Sequence, residues 1–262
     1  MRRVSILLTF FCFFLGAGGV QTWADFYGDS ATGLLQLEKK YPYYLFVPAD
    51  YSPEKAWPLV LILAERGEDP KTAIEPWLEW AKQRKWMVAA VPQLVPEHEV
   101  PTAANEWLIK VKREMVERYR VDPANTLLLG RGSSGHYVAY VGLNFPKEFS
   151  GIASIQEAWA GPFEKLMRPT RDRSKQADFY AAVDPKEGTY PAIEKRALEL
   201  QGKGYQIKVD TLNSGEDWLK VRDSMIQWFL ENSESRSMKV SSKNRTAMKG
   251  KIQEVWKNLF QM

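Results

Sequence analysis

The chain of 262 residues is poor in the side chains that most often carry chemistry: it has one cysteine, Cys12, and two histidines, His98 and His136. One cysteine excludes an intrachain disulfide and a thiolate zinc cluster. Two histidines leave little material for a His-rich metal site, so neither a metal nor another cofactor is expected. Any mechanism with a catalytic histidine must use His98 or His136. Charge of one sign is scarce too, since 36 Lys+Arg face 32 Asp+Glu for a formal net charge of +4. No finger, RNP-like or basic-helix pattern accompanies it, so no nucleic-acid partner is expected. What the chain does have is a globular composition, 45% hydrophobic and 13% aromatic, enough for one sizeable core or two small ones.

The single long apolar run lies at the start. Arg2 and Arg3 precede the almost wholly apolar Val4 to Leu15, no charge follows until Asp25, and Thr22-Trp23-Ala24 ends in a small residue. Residues 1–24 therefore read as a secretory signal peptide, and the protein as exported to the periplasm, envelope or exterior. An uncleaved N-terminal anchor is the alternative, because Val4 to Ala24 just reaches spanning length. Cleavage after Ala24 would remove Cys12. At the other end, Ser235 to Met262 carries seven cations against the single acid Glu254, which leaves Asp25 to Glu234 mildly acidic. Residues 25–231 read as the folded domain and 232–248 as a Ser/Lys-rich linker. In 249–262, Ile252, Val255, Trp256, Leu259 and Phe260 recur at helical spacing. This basic amphipathic tail could meet an anionic membrane surface, a partner groove or its own domain.

Between these ends, apolar runs alternate with amphipathic stretches. Strands are expected at Tyr43 to Pro48, Pro58 to Ala64, Trp86 to Val91, Thr126 to Leu129, Gly151 to Ile155, Asp178 to Val183 and Tyr205 to Leu212. Helices are expected at Thr72 to Arg84, Ala104 to Tyr119, after Gly130-Arg131-Gly132-Ser133-Ser134-Gly135, at Tyr190 to Gln201 and at Trp218 to Leu230. Asp122-Pro123-Ala124-Asn125 reads as a turn. Continuous apolar strands alternating with helices imply an α/β, three-layer, mainly parallel sheet covered on both faces.

The phrases YYLFVPADYSPEKAWPLVLIL, VDPANTLLLGRGSSGHYVAYVGLNFPKEFSGIASIQ and GYQIKVDTLNSGEDW occur in this order between Tyr41 and Leu230. In these the chain resembles the α/β-hydrolase superfamily, in particular its secreted esterase and polyhydroxybutyrate-depolymerase-like branch. The resemblance implies a nucleophile on the sharp turn Gly-x-Ser-x-Gly, a histidine base after the last strand and an acid after the strand before it. Counted without gaps, the nucleophile place holds Gly132, with Gly130 as the first glycine and Ser134 in place of the second. A one-residue slip would make Ser133 the nucleophile, with the bulky Arg131 where the turn needs a small residue. The oxyanion phrase is Ala64-Glu65-Arg66-Gly67, which brings the Glu65 carboxylate to a place meant for developing negative charge. Glu216 stands in the histidine place, and a carboxylate of ordinary pKa is a poor base for a hydroxyl. Asp184 keeps the acid place.

Each of these residues also has a plain structural reading. Asp184 before Pro185 suits a turn, and Ser133 and Ser134 suit helix N-caps. His136, one helical turn after Ser133, suits a buried, satisfied histidine better than a base. Glu65, Glu68, Asp69, Asp184, Glu216 and Asp217 are expected either to gather at the carboxyl edge of the sheet as a cation or basic-ligand site or to lie scattered on the surface. Trp77, Trp80 and Trp86 suit packing. The expectation is an exported hydrolase-fold protein without an intact triad, acting as a binding or scaffolding module. The alternative is an active esterase using Ser133 with Asp184.

Overall fold

A computed structural model of the chain describes residues 33–38, 40–95, 101–213 and 218–233. Residues 1–24, His98, Glu216, Asp217 and the tail lie outside the described residues, as does the expected linker except Asn232 and Ser233, which continue the last helix. The sheet grows outward from β3 (Trp57–Leu63), whose run WPLVLIL is buried on both sides. Leu59, Leu61 and Leu63 point to one face and Val60 and Ile62 to the other, so each face receives its own core cluster. β3 pairs in parallel with β4 (Met87–Val91) and with β5 (Val121–Arg131). β6 (Gly151–Ile155), β7 (Asp178–Val183) and β8 (Ile207–Thr211) extend the parallel sheet on one side. β2 (Tyr43–Val47) and β1 (Gly33–Leu37) close the other side with antiparallel pairing. The eight strands run in the order β1-β2-β4-β3-β5-β6-β7-β8.

Helices cover both faces. α3 (Thr102–Tyr119) buries Leu108, Val111, Met115 and Tyr119 as one stripe, and α4 (Ser133–Asn144) follows β5 directly and is buried almost all round. With α5 (Tyr190–Gly202) these pack on the face of Leu59 and Leu61. The opposite face takes Trp77, Trp80 and Trp86 together with Met225, Ile226 and Phe229 of the last helix, α6, at 222–233. The three tryptophans thus pack in the core. Among the described residues no helix is long and apolar enough to cross a membrane.

Several elements depart from the sequence reading. The helix expected over Thr72 to Arg84 is divided into α1 (Pro70–Ile74), a 3-10 turn (Glu75–Trp77) and α2 (Leu78–Arg84). Pro76 explains the division, because it has no N–H to donate and its ring crowds the preceding turn. Asp122 to Asn125, expected as a turn, lie within strand β5. Trp57 pairs with Val121 and Leu59 with Thr126, so the extra residues of β5 bulge outward. Asp122 Oδ1 accepts the Ala124 N–H at 2.9 Å and stabilises that bulge. β1 had no counterpart in the sequence reading; it is a half-buried strand paired on one side only.

Candidate functional site

The carboxyl ends of β3, β5, β6 and β7 bring Ala64, Glu65, Arg131, Gly132, Gln156, Glu157 and Asp184 to one edge of the sheet. β5 turns there into α4 through Gly132, whose φ of 51° and ψ of −129° lie where side chains are strained. The turn is tight on every side. A Cβ on Gly130 would stand 2.3 Å from the Ser134 carbonyl oxygen, and one on Gly135 would stand 2.7 Å from that of Glu157. Gly132 N–H donates to Ile155 O at 2.9 Å, which ties the turn to the end of β6.

The space above Gly132 belongs to Glu65. A Cβ added at Gly132 would lie 3.2 Å from Glu65 Oε2. Arg131, the neighbour of Gly132, holds that carboxylate with Nε–Oε1 of 2.6 Å and reaches Glu68 Oε1 through Nη2 at 3.4 Å. Its guanidinium lies over the Trp218 ring, 5.5 Å from the centroid. Glu68 completes the cluster, its Oε2 accepting the Glu65 backbone N–H at 2.8 Å. The Ala64 N–H is also used, donating to Val91 O at 3.0 Å. The N–H groups of Ala64 and Glu65 in the expected oxyanion phrase therefore have partners, and one of the partners is a carboxylate.

Ser133 is exposed and begins α4, while Gly132 is the capping residue and makes no side-chain cap. Ser134 is fully buried and donates from Oγ to Ala64 O at 2.6 Å, pinning α4 to the end of β3. The N-cap reading of Ser133 and Ser134 is thereby corrected: the tight turn puts a glycine at the cap and directs the Ser134 hydroxyl across the sheet. His136 is 1% exposed and both ring nitrogens are committed. Its Nδ1 donates to Ala158 O at 2.7 Å and its Nε2 accepts the Phe163 N–H at 2.9 Å, which fixes one neutral tautomer. The ring stacks on Phe163 at 7°, and burial holds its pKa below the ordinary value. It is a satisfied buried histidine.

Asp184 follows β7, is 7% exposed, and accepts the Lys186 N–H at 2.8 Å, as its turn reading expects. Asp69 likewise caps α1 by accepting the Lys71 N–H at 2.9 Å. Among the described residues no three His, Cys, Asp or Glu side chains are placed to hold a metal ion. Of the six acids read as either gathered or scattered, the four described have separate tasks: Glu65 and Glu68 serve Arg131, and Asp69 and Asp184 cap turns. Two features escaped the sequence reading. One is the bracketing of Arg131 by Glu65 and Glu68, hinted at only by an arginine in the middle of the Gly-x-Gly turn. The other is Glu157, whose carboxyl is held above its ordinary pKa by burial and then by the charges of Glu187 and Glu65. Beside Arg131 opens a small cleft of about 200 Å³, whose lining includes Leu63, Thr72, Pro76, Leu129, Ile155 and Trp218.

No family model matches the sequence, and no curated protein matches it. Solved structures do. A thermostable esterase superimposes with a TM-score of 0.58 at 20% identity, over 76% of this chain and 62% of its own. An S-formylglutathione hydrolase from Staphylococcus aureus gives 0.59 at 10% identity, over 76% and 97% of the two chains. An α/β hydrolase enzyme from a Medee basin deep-sea metagenome library gives 0.57 at 14%, over 78% and 99%.

The chain has the α/β-hydrolase fold.

It spans 62% of the length of the thermostable esterase, less than two thirds of it. In the α/β-hydrolase fold a nucleophile elbow follows the central strand, and oxyanion donors come from the loop after β3 and from the residue after the nucleophile. Gly132 stands at the strand-to-helix turn of this chain, and Glu65 and Glu68 occupy the loop after β3. Glu216 and His98 lie outside the described residues, so their geometry is not part of the site as described.

Proposed function

We propose that the protein is an exported α/β-hydrolase-fold module that has lost serine-hydrolase chemistry and serves in binding or scaffolding at the cell envelope or exterior. One observation carries the reading: Gly132 has no side chain, and the Arg131-held carboxylate of Glu65 stands 3.2 Å from where a Cβ on that turn would begin. Acyl transfer requires a nucleophile, a base within reach of it, and N–H donors aimed at the developing oxyanion. A fixed carboxylate at that point repels the charge such donors exist to stabilise. The Glu65 N–H is already bonded to Glu68. His136 has no free nitrogen with which to deprotonate Ser133. Gly132, Glu216 and Asp184 are then the remnants of nucleophile, base and acid in a pattern resembling secreted esterases of the polyhydroxybutyrate-depolymerase-like branch. Export rests on the leader character of residues 1–24.

The test is treatment of the purified protein with a fluorophosphonate probe, read by intact mass. No adduct is expected. Stoichiometric labelling that vanishes in Ser133→Ala would overturn the proposal in favour of an esterase with a displaced nucleophile.

A further inference from the structure

Between α2 and α6 lies a groove of about 400 Å³, far from the glycine turn in sequence and on the tryptophan face of the sheet. Trp80, Trp86 and Ile226 are each 6% exposed at its floor, and Leu230 at its end is 38% exposed. Leu230 is one of two large hydrophobic side chains left exposed among the described residues. Of the charged side chains lining the groove, Asp223 and Glu231 are acids and Arg84 is basic. We infer that this groove is the docking site of the chain's own basic amphipathic segment, residues 249–262, with Trp256 and its apolar neighbours at helical spacing against Trp80, Trp86 and Leu230.

Reach favours this occupant. The described part of α6 runs to residue 233 and supplies Leu230 and Glu231 to the groove. Residues 234–248 separate it from residue 249, and a chain of that length spans at most about 50 Å. Tethering at this range gives an effective concentration on the order of millimolar. A contact too weak to hold a separate partner at cellular concentration is therefore mostly formed within one chain. Charge points the same way. Ser235 to Met262 carries seven cations against one acid, and Asp25 to Glu234 is acidic overall. The groove is flanked by the carboxylates of Asp223 and Glu231, with Arg84 as the basic residue of its lining. The apolar stripe of Ile252, Val255, Trp256, Leu259 and Phe260 matches the aromatic and aliphatic floor in kind.

The test is a distance measurement by pulsed electron paramagnetic resonance on the full-length chain, with Cys12→Ser and spin labels at Lys82→Cys and Lys257→Cys. Lys82 is exposed on α2 and does not line the groove. One short, narrow distance, independent of protein concentration, is expected. Leu230→Asp should broaden it while the circular dichroism spectrum stays the same. A broad distribution in the parent overturns the inference. So does a short distance found only between chains when two singly labelled proteins are mixed, which would make a second copy the occupant. Loss of the short distance on adding phosphatidylserine and phosphatidylcholine vesicles, with the protein bound to them, would assign the tail to a membrane and likewise overturn it.

Discussion

His136 is bonded as a neutral ring, and that makes it a source of acid sensitivity. Its Nε2 accepts the Phe163 N–H, so a proton there would turn an acceptor toward a donor inside the core. Burial therefore lowers its pKa in the folded state from the ordinary 6.5, while the backbone carbonyl of Ala158 and the charge of Glu164 oppose the shift in part. The unfolded chain then binds the proton more readily than the folded one. Stability from this residue is complete above the unfolded value, falls as pH drops below about 6.5, and levels off below the folded value. The expected slope is at most about 1.4 kcal/mol per pH unit for one proton. Glu157 acts in the opposite sense, because its folded pKa is raised and its contribution to stability grows as pH falls. Urea midpoints taken between neutral pH and about pH 5 should show the loss, and His136→Gln should flatten it; an unchanged slope in that variant would place the effect elsewhere. At this scale the identities at the turn were legible in the sequence, Gly132 and Arg131 included. The contact of Arg131 with Glu65 and Glu68 was not, because residues more than sixty positions apart meet only once β3 and β5 pair.

α3 is anchored to the segment between α4 and β6 by a buried ion pair. Lys112 Nζ lies 3.4 Å from Glu148 Oε2, with side-chain exposures of 7% and 15%. Arg113 also binds Glu148, from the solvent side. Burial lowers the pKa of Lys112 despite Glu148, whereas the two cations outweigh burial at Glu148 and lower its pKa. The two shifts agree once Arg113 is counted: Glu148 has two partners and Lys112 has one. Removing the acid leaves Lys112 buried without compensation, so Glu148→Gln should cost about 3 kcal/mol. Lys112→Met should be close to neutral, because it removes the charge along with its need for a partner. Equilibrium denaturation of the two variants checks the contrast, and equal losses would contradict it. Most elements at this scale were legible from apolar runs and helical spacing, β6 and β7 residue for residue. The division at Pro76 and the bulge in β5 were not, since both depend on how neighbouring segments pack. β1 was missed because an edge strand has neither the continuous run nor the clean alternation of a buried one.

The whole molecule is a sheet with two cores, one on each face, and its cohesion declines from the centre to the edges. β3 and the Thr126–Gly130 part of β5 are flanked by strands on both sides and nearly buried, whereas β1 and β8 are paired on one side and half-buried. Native-state hydrogen exchange should rank protection accordingly, with the amides of Leu59 to Ile62 and Leu127 to Leu129 slowest and those of β1 and β8 fastest. Protection of β1 equal to that of β3 would contradict this ordering. With Cys12 as the sole cysteine, no intrachain disulfide supports the molecule, so burial of the two faces must hold it together.

By itself the sequence determined the layered α/β architecture, because continuous apolar strands and amphipathic helices are local patterns with one economical way to bury their surfaces. It also determined that a glycine, Gly132, stands between a strand and the helix that follows it. Only the tertiary structure decided what surrounds that glycine. The pairing of β3 with β5 brings Glu65 above Gly132 and closes Arg131 between two carboxylates. The loop after β6 takes both nitrogens of His136. These are long-range contacts, set by strand register and turn direction, and no local pattern in the chain encodes them.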